Sequence, residues 1–364
     1  MNRKQIIACG LIVFLILFGT AAYVSWQMMF GPMYRLGSVA AQAQSEDFLP
    51  AVTSESPGLW RVEPEISLYF QSFGQGRPVL VVHGGPAVPP SGEWAGLADL
   101  KGNFRFIYYH QRGCGRSTRP FNRFEGGNVY GHILELESTL GIGAQIADIE
   151  RIRRILGEDR LLIIGHSFGG FLATLYAAEF PNHVEKLVLV APAGLTRKPS
   201  PQTDLFALTS ANLEAEDHLL FEALRADYFD FTKHFSKSEA ELASMHLEVG
   251  TYILRAMGYQ ASSKPLLESQ GLPSAGGWGA FAMYFSLGRN WEFSRALDIV
   301  KAPTLVITGV DDHLAKPGAE QYRSIDGAAF TEIKADEPSG QAGHMIFDDA
   351  PKGFGKVVAE FLLN

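Results

Sequence analysis

The feature that most constrains this chain is a short apolar run that recurs and each time stops at a glycine-bearing turn. Val79-Leu80-Val81-Val82 stops at His83-Gly84-Gly85-Pro86, Phe104 to Tyr109 at His110-Gln111-Arg112-Gly113-Cys114-Gly115-Arg116-Ser117, and Leu161-Leu162-Ile163-Ile164 at Gly165-His166-Ser167-Phe168-Gly169-Gly170. Lys186 to Val190 and Thr304 to Thr308 repeat the plan. Strands with no polar face have to be covered on both sides, as in parallel sheets whose crossovers run through helices. Those helices are legible too: within Ala144 to Leu156 the residues Ile146, Ile149, Ile152 and Leu156 share one side, and a helix over Phe171 to Phe180 follows the Ser167 turn. Trp60 to Phe73 reads as two antiparallel strands. The pattern predicts an α/β fold, a mostly parallel sheet with helices on both faces.

Two stretches differ in texture from this core. Leu195 to Leu297 is acidic, helically spaced and dense in aromatics, including Phe206, Tyr228, Phe229, Phe231, Tyr252, Trp278, Phe281, Tyr284, Phe285 and Trp291. We expect residues 195–297 to form a helical cap, inserted between core segments 59–194 and 298–364 over the carboxyl ends of the strands, where open α/β sheets bind ligands. At the other end, Ile6 to Val24 carries no charged residue, about the length that spans roughly 30 Å of hydrocarbon as a helix. Arg3 and Lys4 precede it, so residues 1–24 read as a transmembrane signal anchor with the body extracytoplasmic. The alternative is a signal sequence cut near Ala41-Gln42-Ala43 and a secreted body. Residues 25–58 show no sustained period and read as a linker.

The chemistry sits at strand ends. Gly165-His166-Ser167-Phe168-Gly169 is a G-x-S-x-G run directly after an apolar strand and directly before a helix. Glycines two residues either side of a serine permit the tight turn that projects a strained nucleophile, and the helix N-terminus favours the negative charge developing there. A serine hydroxyl needs a base, and the base an orienting carboxylate. On such a sheet they follow in the order Ser, Asp, His. Thr304 to Thr308 ends at Gly309-Val310-Asp311-Asp312-His313, where Asp312, in preference to Asp311, is the expected acid. His344, in the loop before the C-terminal helix, is the expected base, while His313 reads as a loop histidine and His166 as a packing one. An oxyanion needs donors, and the backbone N–H groups of Gly85 and Phe168 are the candidates. Cys114 reads as packing, and Arg112 and Arg116 as residues that hold their loop.

From about Trp60 onward the chain resembles the α/β-hydrolases and, within them, the proline iminopeptidase-like serine hydrolases. The resemblance rests on His83-Gly84-Gly85-Pro86, on Gln111-Arg112-Gly113-Cys114-Gly115-Arg116-Ser117-Thr118, on Asp148-Ile149-Glu150 before the nucleophile strand, and on an insertion of this size. It implies an α/β-hydrolase fold with an eight-stranded sheet, a triad on Ser167, Asp312 and His344, no metal or other cofactor, and removal of N-terminal residues from peptides. The chain departs from the family pattern at Ala87 and His110, where the family has glycine and aspartate. His166 and Phe168 instead look like those of esterases, lactonases and carbon–carbon bond hydrolases. An aminopeptidase also needs carboxylates for the α-ammonium. Glu214, Glu216, Glu222, Asp227 and Glu248 are the candidates, and each also reads as part of a solvated helix face.

Composition narrows the partners. With 31 Lys+Arg against 39 Asp+Glu the formal charge is −8, and no basic stripe is present to neutralise phosphates, which argues against nucleic acid. A 46% hydrophobic content excludes general disorder. Cys9 and Cys114 are the two cysteines, too few for a disulfide scaffold or a cysteine-rich zinc site. What remains is a serine hydrolase acting on a small acyl substrate or short peptide through an acyl-enzyme. One reading is an aminopeptidase; the others are an esterase or lactonase, a carbon–carbon bond hydrolase, and, outside enzymes, a membrane-tethered binding protein on a hydrolase fold.

Overall fold

The apolar runs become strands of one sheet. A computed structural model describes residues 31–45, 48, 57–197, 204–259, 268–269, 272–288, 290–338 and 340–364. The strands of its large sheet are β1 (Leu59–Glu63), β2 (Ile66–Gly74), β3 (Arg77–Val82), β4 (Phe104–Tyr109), β5 (Leu161–His166), β6 (Val184–Val190), β7 (Thr304–Gly309) and β8 (Ala329–Ile333). They form an eight-stranded sheet in the order β1-β2-β4-β3-β5-β6-β7-β8. β2 is antiparallel to β1 and β4, and every other pairing is parallel. Successive side chains point to opposite faces. Thus Leu80, Val82, Leu161 and Ile163 enter one core, and Val79, Val81, Leu162 and Ile164 the other.

The helices of eight or more residues are α1 (Val129–Leu140), α2 (Ile142–Leu156), α3 (Phe168–Glu179), α4 (Leu205–Asn212), α5 (Ala215–Tyr228), α6 (Glu239–Ala256), α7 (Gly277–Leu287) and α8 (Pro351–Leu363). α2 buries Ile146, Ile149 and Ile152 against the first core, and stops where Gly157 takes φ 71°, a left-handed cap that glycine adopts without Cβ strain. α3 is buried along its whole length. α8 packs Phe354, Val358 and Leu362 into the second core.

Beneath the loop after β4, Arg112 is completely buried and holds Asp148 of α2 at 2.7 and 2.5 Å, with Glu63 of β1 at 2.9 Å. Its two N–H edges thereby lock the loop to both elements, which fits the expected role of Arg112. Arg116 instead lies over the Tyr69 ring, 4.0 Å from its centroid.

Between β6 and β7, α4 to α7 pack around Phe206, Phe221, Tyr228, Leu242, Trp278 and Phe281. The insertion is tied to the strand ends by His246, whose Nε2–H donates to Pro86 O at 2.7 Å while its Nδ1 accepts from Tyr228 Oη at 2.7 Å. The carbonyl partner fixes that tautomer, and burial pushes His246 down to about 4, so the ring is neutral.

The stretch expected as a linker is in part docked. Glu179, at the end of α3, accepts from Tyr34 Oη and Gly37 N at 2.7 Å and from Ala40 N at 2.8 Å. Met33 N and Tyr34 N donate to Ser286 O at 2.9 and 3.3 Å, and Tyr34 and Val39 are buried in the first core. Residues 31–45 therefore lie as a strap across α3 and α7, with Tyr34 and several of their amides satisfied by the body. The expected anchor over residues 1–24 lies outside the described residues. Among the described residues no helix is long and apolar enough to cross a membrane.

Candidate active site

β5 ends at His166, and Ser167 turns the chain into α3 with φ 54° and ψ −122°. A positive φ strains a residue with a Cβ, and it persists here because the glycines on either side let the chain close up. A Cβ on Gly165 would lie 2.6 Å from Gly169 O, and one on Gly169 would collide with Val82 O and His83 O. The loop after β3 presses on Ser167 from the other side: a Cβ on Gly84 would sit 2.8 Å from Ser167 Cβ.

That loop is held by His83. Its Nε2 accepts from Gln111 N at 3.0 Å and its Nδ1–H donates to Gly84 O at 3.0 Å, with burial pushing the ring down to about 4 and keeping it neutral. Phe168 opens α3, where the first N–H groups have no intrahelical acceptor. Among the described residues neither Gly85 N nor Phe168 N donates to a backbone carbonyl or side chain. Ala87, where the resembling family has glycine, takes φ 55° with its methyl fully buried.

His344 arrives from the loop after β8. Its Nδ1–H donates to Asp312 Oδ2 at 2.8 Å, which leaves Nε2 as the basic position. Asp312 is buried, and its other oxygen accepts from Ala315 N at 3.1 Å. Burial opposes its ionisation, but the facing His344 ring and its hydrogen bond outweigh that and hold the carboxyl below the usual carboxylate range. Asp311 points elsewhere, accepting from Ala342 N at 2.9 Å.

Around His344 the loop is clamped residue by residue. Asp349 Oδ2 accepts from Gly343 N at 2.9 Å and from Tyr259 Oη at 2.5 Å, and Tyr259 Oη accepts from Met345 N at 2.8 Å. His166 Nε2–H donates to His344 O at 3.1 Å, and its ring packs edge-on against Phe347 and Trp94. Burial and the His344 ring push His166 down to about 3, so it positions the loop as a neutral group. Tyr259, Asp349 and His246 were not singled out from sequence. Tyr259 and Asp349 stand 90 residues apart, and no local pattern marks such a pairing.

Ser167, Phe168, Gly85 and His344 open into one cavity of about 1860 Å³. Ser167 Oγ has no hydrogen-bond partner among the described residues, and apo nucleophile–base bonds commonly tighten only around a substrate. Of the expected aromatics, Phe206, Phe229, Phe231, Tyr284, Phe285 and Trp291 line the cavity, whereas Trp278 and Phe281 belong to the insertion's own core. None of Glu214, Glu216, Glu222, Asp227 and Glu248 lines it. The carboxylates that do are engaged: Glu93 with Lys101 at 3.0 Å, Asp204 with Arg197 at 2.8 Å, Asp230 with Lys233 at 3.0 Å, and Asp348 with Ala95 N at 3.0 Å.

Cys114 is buried, donates to Gln111 O at 3.2 Å, and has its thiol pushed up to about 12 by burial, so it is an inert packing group. His110 accepts from Arg116 N at 3.0 Å and is pushed down to about 3 by burial and by His83 and Arg116, a neutral brace for the turn. Among the described residues no group of three or more His, Cys, Asp or Glu side chains is placed to hold a metal ion.

The chain is similar to known proteins in both sequence and fold. The chain is 34% identical over 134 residues to a proline iminopeptidase of Neisseria meningitidis, a match covering 36% of this chain and 38% of that protein. A proline iminopeptidase of Saccharolobus solfataricus matches over 318 residues at 22% identity, covering 82% of this chain and 89% of the relative. Over 152 residues, 41% of this chain and 38% of that one, it is 34% identical to a 1-acylglycerol-3-phosphate O-acyltransferase of Pongo abelii. Thus the matches at about one-third identity span well under half the length of those relatives. In fold it is similar to VinJ, with TM-score 0.58, 15% identity, and coverage of 86% of this chain and 99% of that one. It is similar as well to a thermophilic esterase from Thermogutta terrifontis, with TM-score 0.51, 20% identity, and coverage of 85% and 96%. A family model described as alpha/beta hydrolase fold matches residues 77–351, which contain Ser167, Asp312 and His344. With its sheet order, nucleophile turn and matched length taken together, the chain belongs to the α/β-hydrolase fold family.

Proposed function

We propose that the protein is a serine hydrolase that carries an acyl group on Ser167 and releases it to water. The observation that carries this reading is the His344–Asp312 pair, 2.8 Å apart, on the cavity into which the strained Ser167 opens. Ser167 Oγ attacks the substrate carbonyl and its proton passes to His344 Nε2, while Asp312 stabilises the imidazolium. The tetrahedral oxyanion takes the N–H groups of Gly85 and Phe168. His344 then protonates the leaving group as the carbonyl reforms, and the same residues repeat the steps with water to free the acid.

For the substrate we favour a carboxylic ester with an apolar acyl group. The cavity is walled by aromatics, and three of its four carboxylates, Glu93, Asp204 and Asp230, already face Lys101, Arg197 and Lys233. The second reading is an aminopeptidase, supported by the similarity to proline iminopeptidases. We also take residues 1–24 as a membrane anchor holding the body on the extracytoplasmic side.

A fluorophosphonate probe tests the nucleophile: wild type is labelled and Ser167→Ala is not, and equal labelling of both removes the enzyme reading. Proline and alanine anilides compared with acyl esters separate the substrates. Ester turnover without anilide turnover supports the esterase, and anilide cleavage that requires a free α-amine establishes the aminopeptidase.

A further inference from the structure

The docked strap has a second face. Gly31, Pro32, Met33 and Arg35 line the cavity that holds Ser167, so the segment following the apolar N-terminal run is itself part of the cavity wall. Its seat is specific. Gly288 has φ 66°, and a Cβ there would lie 2.6 Å from Gly31 C and 2.7 Å from Pro32 N, so this backbone is packed onto the end of α7.

The same cavity has exposed apolar residues on its lining. Tyr130 and Leu205 both line the cavity while remaining 58% and 38% exposed, and Val129 and Leu134 next to them on α1 are 41% and 44% exposed. Tyr130, Ile133 and Leu134 stand at i, i+3 and i+4, one face of α1. Exposed large hydrophobics gathered at a pocket mouth mark an interaction surface rather than ordinary scatter.

The position of the apolar run says what covers that surface. Six residues, Ser25 to Phe30, separate Val24 from Gly31, and fully extended they reach no more than about 25 Å. If residues 6–24 cross a bilayer, Gly31 and the strap that follows it stay within that distance of its surface. The cavity, about 1860 Å³, also exceeds the roughly 300–1,000 Å³ of pockets that enclose compact ligands.

We propose that the cavity mouth, formed by the strap at residues 31–35 and the apolar end of α1, rests on the membrane and takes the acyl chain of a lipophilic carboxylic ester directly from the bilayer. This rests on Ser167 as nucleophile and on residues 1–24 as anchor. Met33 and Tyr130 guide the chain, and the carbonyl stops at Ser167, whose acyl bond replaces the ester bond as the alcohol leaves with a proton from His344, and water then releases the free acid.

The test uses the full-length protein in phosphatidylcholine vesicles, with p-nitrophenyl dodecanoate carried in the vesicles and p-nitrophenyl acetate dissolved in water. Wild type co-floats with the vesicles and turns over the dodecanoate with kcat/KM about tenfold or more above the acetate, because the longer chain buries more apolar surface. The double substitution Val129→Lys with Leu134→Lys, at exposed positions that do not line the cavity, lowers dodecanoate turnover about tenfold and leaves acetate turnover at the wild-type level. Met33→Trp narrows the wall and lowers dodecanoate turnover more than acetate turnover. Wild-type preference for acetate, equal losses on both esters in the lysine variant, or failure to co-float overturns the proposal. Fluorophosphonate labelling run alongside separates the two levels: labelled protein that prefers acetate refutes the bilayer entrance and keeps the hydrolase, whereas unlabelled protein removes both.

Discussion

Asp311 and Asp312 are adjacent carboxylates with different work. Asp312 is buried against His344 and accepts its Nδ1–H, while Asp311 accepts from Ala342 N and so fixes the start of the His344 loop. Asp312→Asn is expected to lower kcat/KM by about 10³–10⁴ with the fold retained, since the wrong imidazole tautomer is then favoured. Asp311→Asn leaves the His344 partner in place and is expected to stay within about tenfold of wild type, the scale of one lost hydrogen bond. Ester kinetics on the two variants check this, with thermal melts to show that both are folded. The order Ser, Asp, His was legible in the sequence. The choice between two neighbouring aspartates rested there on loop position alone, and the direction each side chain takes was fixed by packing against a residue 32 positions away.

At the scale of elements, the strap shows how an unpatterned segment becomes structure. Residues 31–45 have no helical or strand period of their own, and they are ordered by the Glu179 carboxylate, the Ser286 carbonyl and a gap in the side chains at Gly288. Gly288→Ala adds a methyl against the Gly31 backbone at a positive φ, and is expected to destabilise the fold by about 1–3 kcal/mol. Glu179→Gln, which weakens charge-assisted bonds to Tyr34 and two amides, should act in the same direction. Thermal melts and limited proteolysis check both: cleavage within residues 31–45 should speed up before the body unfolds. Helix α2, by contrast, was visible in advance because its apolar residues repeat locally with the helix period, and α3, buried on every side, was legible from its place after the Ser167 turn.

Across the whole molecule, buried charge ties the layers together and sets the response to pH. Arg112 joins β1, the loop after β4 and α2, so Arg112→Met leaves Asp148 and Glu63 to Arg151 alone, at 3.5 and 2.9 Å, and is expected to cost about 3 kcal/mol of stability, measured by denaturant unfolding. Glu150 is a second junction, receiving Arg153 and Arg154 from its own helix, Tyr176 from α3, and His183. Burial opposes its ionisation, but the arginine hydrogen bonds prevail and hold it down to about 2. A depressed acid stabilises the fold fully above its unfolded value near 4.5 and loses that contribution as pH falls toward 2. Relative to Glu150→Gln, wild type should therefore be more stable at pH 6, with the gap closing between pH about 4.5 and 2. Unfolding midpoints of the two proteins across that range check it.

The sequence by itself determined the parallel sheet, the helices flanking the nucleophile and the Ser167 turn, because each depends on a pattern within a few residues: an apolar run, a helical period, two glycines around a serine. Tertiary structure decided which aspartate meets His344, which aromatics face the cavity, and that residues 31–45 dock on the body with Gly31, Pro32, Met33 and Arg35 on the cavity. Those outcomes depend on pairings across tens to hundreds of residues, such as Tyr34 with Glu179. Side-chain direction and close approach at such separations are settled only when the layers pack, and they leave no periodic trace in the chain.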